Sequence, residues 1–174
     1  MNFKLIFTFI LVIISTKVFS QTLEWSLDRK LTINDYKGKV PLGIKEEVAS
    51  SMVGIKCEVI STSVWTGKIN TKICAVFNPE QSWLIKKYSS DYLLNHEQRH
   101  FDIANAFAVK LQNKVIEEIK NTSDYDKKFK ILFDTYSSDL SDFQEKYDTD
   151  TNHGLNALKQ IEYNKIISKM IETN

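Results

Sequence analysis

The chain has 174 residues, with 23 lysines and arginines against 22 aspartates and glutamates, for a formal net charge of +1. This length suffices for one domain with a real core, and the balanced charge excludes the basic surface that nucleic-acid binding requires. Two cysteines, two prolines and five glycines argue against a disulfide scaffold or a flexible linker, and no repeat is visible.

The first twenty residues read as a secretory leader. Lys4 precedes an apolar run from Leu5 to Ile14, and Val18 and Ser20 occupy the −3 and −1 positions of a cut before Gln21. The run is far shorter than the roughly 18 residues a spanning helix needs. No cysteine follows it to carry a lipid. The expectation is an exported protein, periplasmic or secreted. Residues 21–174 form its single domain, with no stable membrane span after cleavage.

Leu31 to Gly38 reads as a short strand or turn entering the domain. From Ala49 to Ser61 the pattern alternates, with Ser51, Val53, Ile55, Cys57 and Val59 on one face. From Lys68 to Phe77 a second alternation groups Ile69, Thr71, Ile73, Ala75 and Phe77. Gly67 supports a hairpin turn between the runs. A turn centred near Trp65-Thr66 sets Cys57 opposite Cys74. A disulfide there closes a loop of about 16 residues and contributes roughly 3 kcal/mol; two buried free thiols are the alternative. Asn78-Pro79-Glu80-Gln81 has helix-start chemistry and predicts a short helix through Trp83 and Leu84.

A long helix is expected from Ser89-Ser90-Asp91 to about Lys120, broken by Asn121-Thr122-Ser123. A second carries Tyr125, Phe129, Leu132, Phe133, Tyr136, Leu140, Phe143 and Tyr147 at i+3/i+4 steps, a stripe that packs as core on the first. A loop from Asp148 to Gly154 follows, then a last amphipathic helix marked by Tyr163, Ile166, Ile167 and Met170. The fold class is α+β: a small antiparallel hairpin, a long helix, a second long helix and a C-terminal helix, the order of a compact zincin-like domain.

The first long helix carries His96-Glu97-Gln98-Arg99-His100, an H-E-x-x-H pattern. On a helix, His96 and His100 are one turn apart, with Cβ atoms about 5–6 Å apart. Both imidazoles can then reach one Zn²⁺ at roughly 2.0–2.1 Å. Glu97 is rotated about 100° from His96, beside the metal without ligating it, where it suits a general base acting on zinc-bound water. Leu93, Ala104, Phe107, Ala108, Leu111 and Val115 share the histidine side of the wheel, so the histidines face inward. Asn95, Gln98, Arg99, Asp102, Asn105 and Asn113 lie on the other side, where Asp102 reads as a cap or surface ion-pair partner. A buried, hydrogen-bonded histidine pair without metal is the alternative.

Catalytic zinc usually has three protein ligands and a water. The third histidine, His153, is the expected third ligand; Glu145, Asp148 and Asp150 are its rivals. Asp148, Asp150 and Asn152 also match the start of a calcium loop, but His153 stands where glycine belongs and Lys159 where the bidentate glutamate belongs.

The string from Leu94 to Ala104, with Tyr147 to Gly154, resembles a family of exported bacterial proteins catalogued as a domain of unknown function and described as zinc-dependent proteases of the zincin type. Leu31 to Gly38 and Ser82-Trp83 resemble its N-terminal signatures. The family often has glycine in place of Arg99, tryptophan in place of Ile33 and an acid in place of Asn105. None of these departures touches an expected ligand.

Together these features predict an exported zinc metallopeptidase holding one Zn²⁺ per chain through His96, His100 and His153. Glu97 is its general base, and its partner is a peptide or protein substrate. The alternative is an envelope metal-binding or cell-wall amidase module of the same fold, catalytic or not.

Overall fold

The structure, a computed structural model, describes residues 22–44 and 47–173. The expected leader, residues 1–20, lies outside the described residues. Among the described residues no helix is long and apolar enough to cross a membrane.

Five strands precede three helices: β1 (Leu23–Glu24), β2 (Ala49–Ser50), β3 (Val53–Thr62), β4 (Ile69–Phe77), β5 (Trp83–Leu84), α1 (Asp91–Glu118), α2 (Thr122–Thr151) and α3 (Ala157–Glu172). This is the α+β layout the sequence predicts. β1, β4 and β3 form one antiparallel sheet in that order, while β2 pairs with β5. β3 is therefore an edge strand.

Each helix starts on a side-chain cap. Ser90 accepts from the Leu93 N–H at 3.1 Å, Asn121 from Asp124 at 2.9 Å and Asn156 from Lys159 at 3.2 Å. The cap chemistry at Asn78 is also present, its Oδ1 accepting from the Glu80 N–H at 3.1 Å. It closes only a turn, however, and Trp83–Leu84 form strand β5 rather than the expected helix. Their pairing with Ala49 and Ser50 buries both side chains, and that tertiary contact overrides the local start signal.

α1 is the central element. The inner face of the sheet packs on it through Ile73, Ala75 and Phe77, and α2 and α3 pack on it as well. Phe77 meets Phe101 with ring centroids 6.0 Å apart. The aromatic stripe of α2 packs against this core as expected. The far side of α1 is covered too. Gln98 and Asp102 are buried because the segment containing Trp25 and Leu31 lies over them.

The hairpin corrects the expected disulfide. Near the turn the register is as predicted, with Ser61 opposite Asn70 and Thr62 opposite Ile69. A bulge between Val59 and Ser61 then shifts the pairing by one residue, so Cys57 faces Ile73 and Cys74 faces Lys56. A one-residue shift turns a side chain to the other face. Cys57 therefore lies on the inner face and Cys74 on the outer, and both thiols are free. Burial pushes both thiols up from their ordinary pKa.

Candidate metal centre

His96 and His100 come from the second and third turns of α1, and Asp148 from the last turn of α2. The expected loop from Asp148 is instead helix through Thr151, and this turns Asp148 inward, one residue past the stripe position Tyr147. The three side chains converge. His96 Nε2 and His100 Nε2 are 3.3 Å apart, and Asp148 Oδ1 lies 3.2 Å from the first and 3.0 Å from the second. Among the described residues this is the one group of three or more potential ligand side chains with metal-site spacing. Ligands about 2.0–2.1 Å from a tetrahedral Zn²⁺ are separated by about 3.3 Å, so the triangle has the size of one face of a zinc tetrahedron.

The hydrogen bonds behind the ring nitrogens explain why these atoms are free to ligate. His96 Nδ1 is 2.9 Å from Gln160 Oε1, and His100 Nδ1 contacts Gln144 Oε1. A carbonyl oxygen only accepts, so each Nδ1 carries the proton and each Nε2 presents a lone pair to the triangle. Asp148 Oδ1 is buried there and accepts no hydrogen bond. Three electron-pair donors facing one another repel unless a cation lies among them. Without metal, a proton plays that part. Burial alone lowers the His100 pKa, but Asp148, then Glu97 and Gln144, raise it to a net increase. Burial alone raises the Asp148 carboxyl, yet His100 and His96 hold it well below the usual carboxylate range.

Packing fixes the rings. Tyr147 stacks on His96 at 4.8 Å and meets His100 edge-on at 5.0 Å. After α2 the chain turns through Asn152, His153 and Gly154, all left-handed, with φ of 48°, 51° and 82°. This turn lays Gly154 on His96; a Cβ there would stand 3.1 Å from the His96 Cγ and would crowd the ring at a left-handed φ, so the position favours glycine. The Tyr92 hydroxyl donates to the Gly154 carbonyl at 2.5 Å.

Glu97 is buried and lines the same cavity, outside the ligand triangle. Its Oε2 accepts from Ser51 Oγ at 2.6 Å, and Ser51 Oγ lies 2.9 Å from the Tyr36 hydroxyl. A carboxylate only accepts, so the proton order runs from Tyr36 to Ser51 to Glu97. The cavity, about 550 Å³, lies between the extended segment Glu47 to Ile55 and the two long helices. Leu93, Leu140 and Leu155 give it apolar walls.

His153 is exposed at the cavity wall, outside the convergent group. Glu145 is exposed, and Asp150 accepts from Tyr163 at 2.6 Å and pairs with Lys146 at 2.9 Å. Asp148 and Asp150 thus point different ways from one helix, and no calcium loop forms. Sequence reasoning missed Ser51, Tyr36, Gln144 and Gln160 as site residues. One signal was present: Gln144 and Asp148 are an i,i+4 polar pair beside the apolar stripe, which becomes visible once α2 is extended past Tyr147. The link between Ser51 and Glu97 spans 46 positions and leaves no local pattern.

No curated protein and no solved structure matches the chain. Residues 77–154, which run from the end of β4 to Gly154 and contain His96, Glu97, His100, Asp148 and His153, are similar to a family described as bacterial protein of unknown function (DUF922).

Proposed function

We propose that this chain is an exported zinc-dependent peptidase. The observation that supports it is the meeting of two imidazole lone pairs and an unpartnered buried carboxylate oxygen within 3.3 Å. His96, His100 and Asp148 hold the ion, giving three protein ligands and an open fourth position. Zinc in such a setting polarises a carbonyl and brings the pKa of a coordinated water to about 7. Two neutral imidazoles and one carboxylate leave net positive charge at the ion, which favours that chemistry.

Glu97 is the proton carrier. Ser51 occupies one of its oxygens and fixes the carboxylate plane, so the other is free to take a proton from the attacking water and deliver it to the leaving amine. The substrate lies along the segment Glu47 to Ile55, where β3 is an edge strand and Gly54 has nothing within 4 Å of its Cβ direction. An extended peptide can pair with such an edge. Export rests on the sequence pattern of residues 1–20.

The test uses residues 21–174 loaded with zinc and assayed on a peptide library. Glu97→Gln should keep about one zinc per chain and lower hydrolysis by about 10²-fold or more. Full activity in that variant refutes the base. A protein that ignores added zinc refutes the whole reading.

A further inference from the structure

The two ligand histidines have their protons placed by different means. For His100 the means is local. Gln144 donates its Nε2–H to the His100 backbone carbonyl at 2.9 Å. A backbone carbonyl only accepts, so the Gln144 amide can point one way only, with Oε1 toward His100 Nδ1.

For His96 the adjacent anchor is weak: the Tyr147 hydroxyl lies 3.3 Å from the His96 backbone carbonyl but 3.0 Å from Gln160 Oε1, so its one proton can go to either. Gln160 contacts Tyr147 and Asn164, and a hydroxyl or an amide can reverse its role. The strong group of fixed polarity in this network is Arg99, which only donates. Its Nη1 is held by Asp102 at 2.9 Å, and its Nε–H points at Asn164 Oδ1 at 3.0 Å. That contact orients Asn164 with its oxygen inward. The same oxygen then accepts from Gln160 Nε2 at 3.0 Å and from Asn95 Nδ2 at 3.2 Å. With its amino group committed there, Gln160 turns Oε1 to His96 Nδ1 at 2.9 Å. Asp102 is fully buried and also holds Trp25 Nε1 at 2.8 Å, so the arginine is anchored from behind.

We propose that Arg99 is a positioning residue: through Asn164 and Gln160 it fixes which nitrogen of His96 carries the proton, and so keeps Nε2 free for a metal. Without it, Asn95, Asn164 and Gln160 can flip together while Tyr147 turns its proton to Gln160, leaving a hydrogen bond of similar quality with Nδ1 as acceptor. His96 then carries its proton on Nε2, inside the triangle. Gln160 and Asn164 lie on α3, so α3 is part of the site although it contributes no ligand. The inference rests on the metal reading for its importance, but the tautomer can be measured without metal.

The experiment measures Zn²⁺ affinity by competition with a chelating indicator, and the His96 tautomer by nitrogen-15 imidazole spectra of the metal-free protein. Arg99→Met should lower zinc affinity by about 10–100-fold, the range for losing a partner behind a ligand, and give a mixed His96 tautomer. Adding Asn164→Asp should restore both, because a carboxylate accepts without needing an arginine to orient it. Asn164→Ala cuts the same relay without touching Asp102, so it serves if Arg99→Met does not fold. Unchanged affinity and tautomer in a folded variant overturn the proposal, as does a loss that Asn164→Asp does not recover. If the parent binds no zinc, the metal reading fails, and the tautomer spectra alone decide the relay.

Discussion

Asp102 and Asp148 are buried acceptors on neighbouring helices, and their surroundings differ completely. Asp102 lies behind α1 and uses both oxygens: Oδ1 accepts from Trp25 and Gln98, each at 2.8 Å, and Oδ2 from Arg99 at 2.9 Å. Asp148 lies in front of α1, and its buried Oδ1 accepts from nothing while lying within 3.2 Å of two ring nitrogens. The first carboxylate is saturated by donors and ties the N-terminal segment to the helix. The second is aimed at other electron-pair donors. Burial of an acid does not mark a site; convergence of acceptors on one point does.

The largest expected effect separates the two by metal. Asp148→Ala should reduce zinc affinity by more than the roughly 100-fold upper range for a partner behind a ligand, while His153→Ala leaves it nearly unchanged. Chelator competition reads both. If His153→Ala is the variant that loses zinc, the loop histidine completes the site and Asp148 does not.

In the metal-free protein the order reverses. Asp102→Ala strands Arg99 and leaves the Trp25 and Gln98 donors unpaired, which should cost about 3–5 kcal/mol. At pH above the raised His100 pKa, where that imidazole is neutral, Asp148→Ala removes an acceptor from among acceptors and should cost little. Urea unfolding in the presence of a chelator measures the difference. Equal losses would erase the contrast between the two aspartates.

The pH dependence sharpens the contrast further. The folded pKa of His100 is raised, so its contribution is complete below the unfolded value of about 6.5 and fades as pH rises through the folded value. The folded pKa of Asp148 is depressed, so its contribution is complete above about 3.9 and fades as pH falls through the folded value. The metal-free protein should therefore be most stable between these two limits and lose stability above about pH 6.5. Zinc binding runs the other way, weakening as pH falls through the raised His100 pKa and a proton takes the place of the ion. Unfolding curves with zinc and with chelator should diverge as pH rises; parallel curves would mean that the histidines are not shared between proton and metal.

Much of this was legible because it is periodic. The two strands, the three helices and the inward face of His96, Glu97 and His100 follow from spacings of two and of three to four. What was not legible depends on contacts distant in sequence or on a single irregular residue. The stretch from Asp148 to Asn152 is rich in turn-forming residues and reads as loop, yet α2 continues because Tyr147 and Thr151 are buried against its neighbours. Asp102 reads as a surface residue because nothing in α1 tells that Trp25 covers it. Ser51 reaches Glu97 only after two sheets have formed.

The thiols give the smallest effect and the same lesson about orientation. Cys57 and Cys74 lie on paired strands, and the register at the hairpin tip would set them opposite each other. The single bulge between Val59 and Ser61 separates them to opposite faces. Alkylation of unreduced protein should therefore label both, slowly at neutral pH because burial raises both thiols. Replacing both by serine should cost clearly less than the roughly 3 kcal/mol of a lost disulfide closing such a loop, and most of that loss should come from Cys57, whose side of the strand packs on the core. A bonded pair on peptide mapping would require β3 to slip by one residue below the bulge. The slip would turn Val53 and Ile55 outward and carry the strand bordering the cavity out of register with Glu97, so the same experiment also tests the sheet that positions the site.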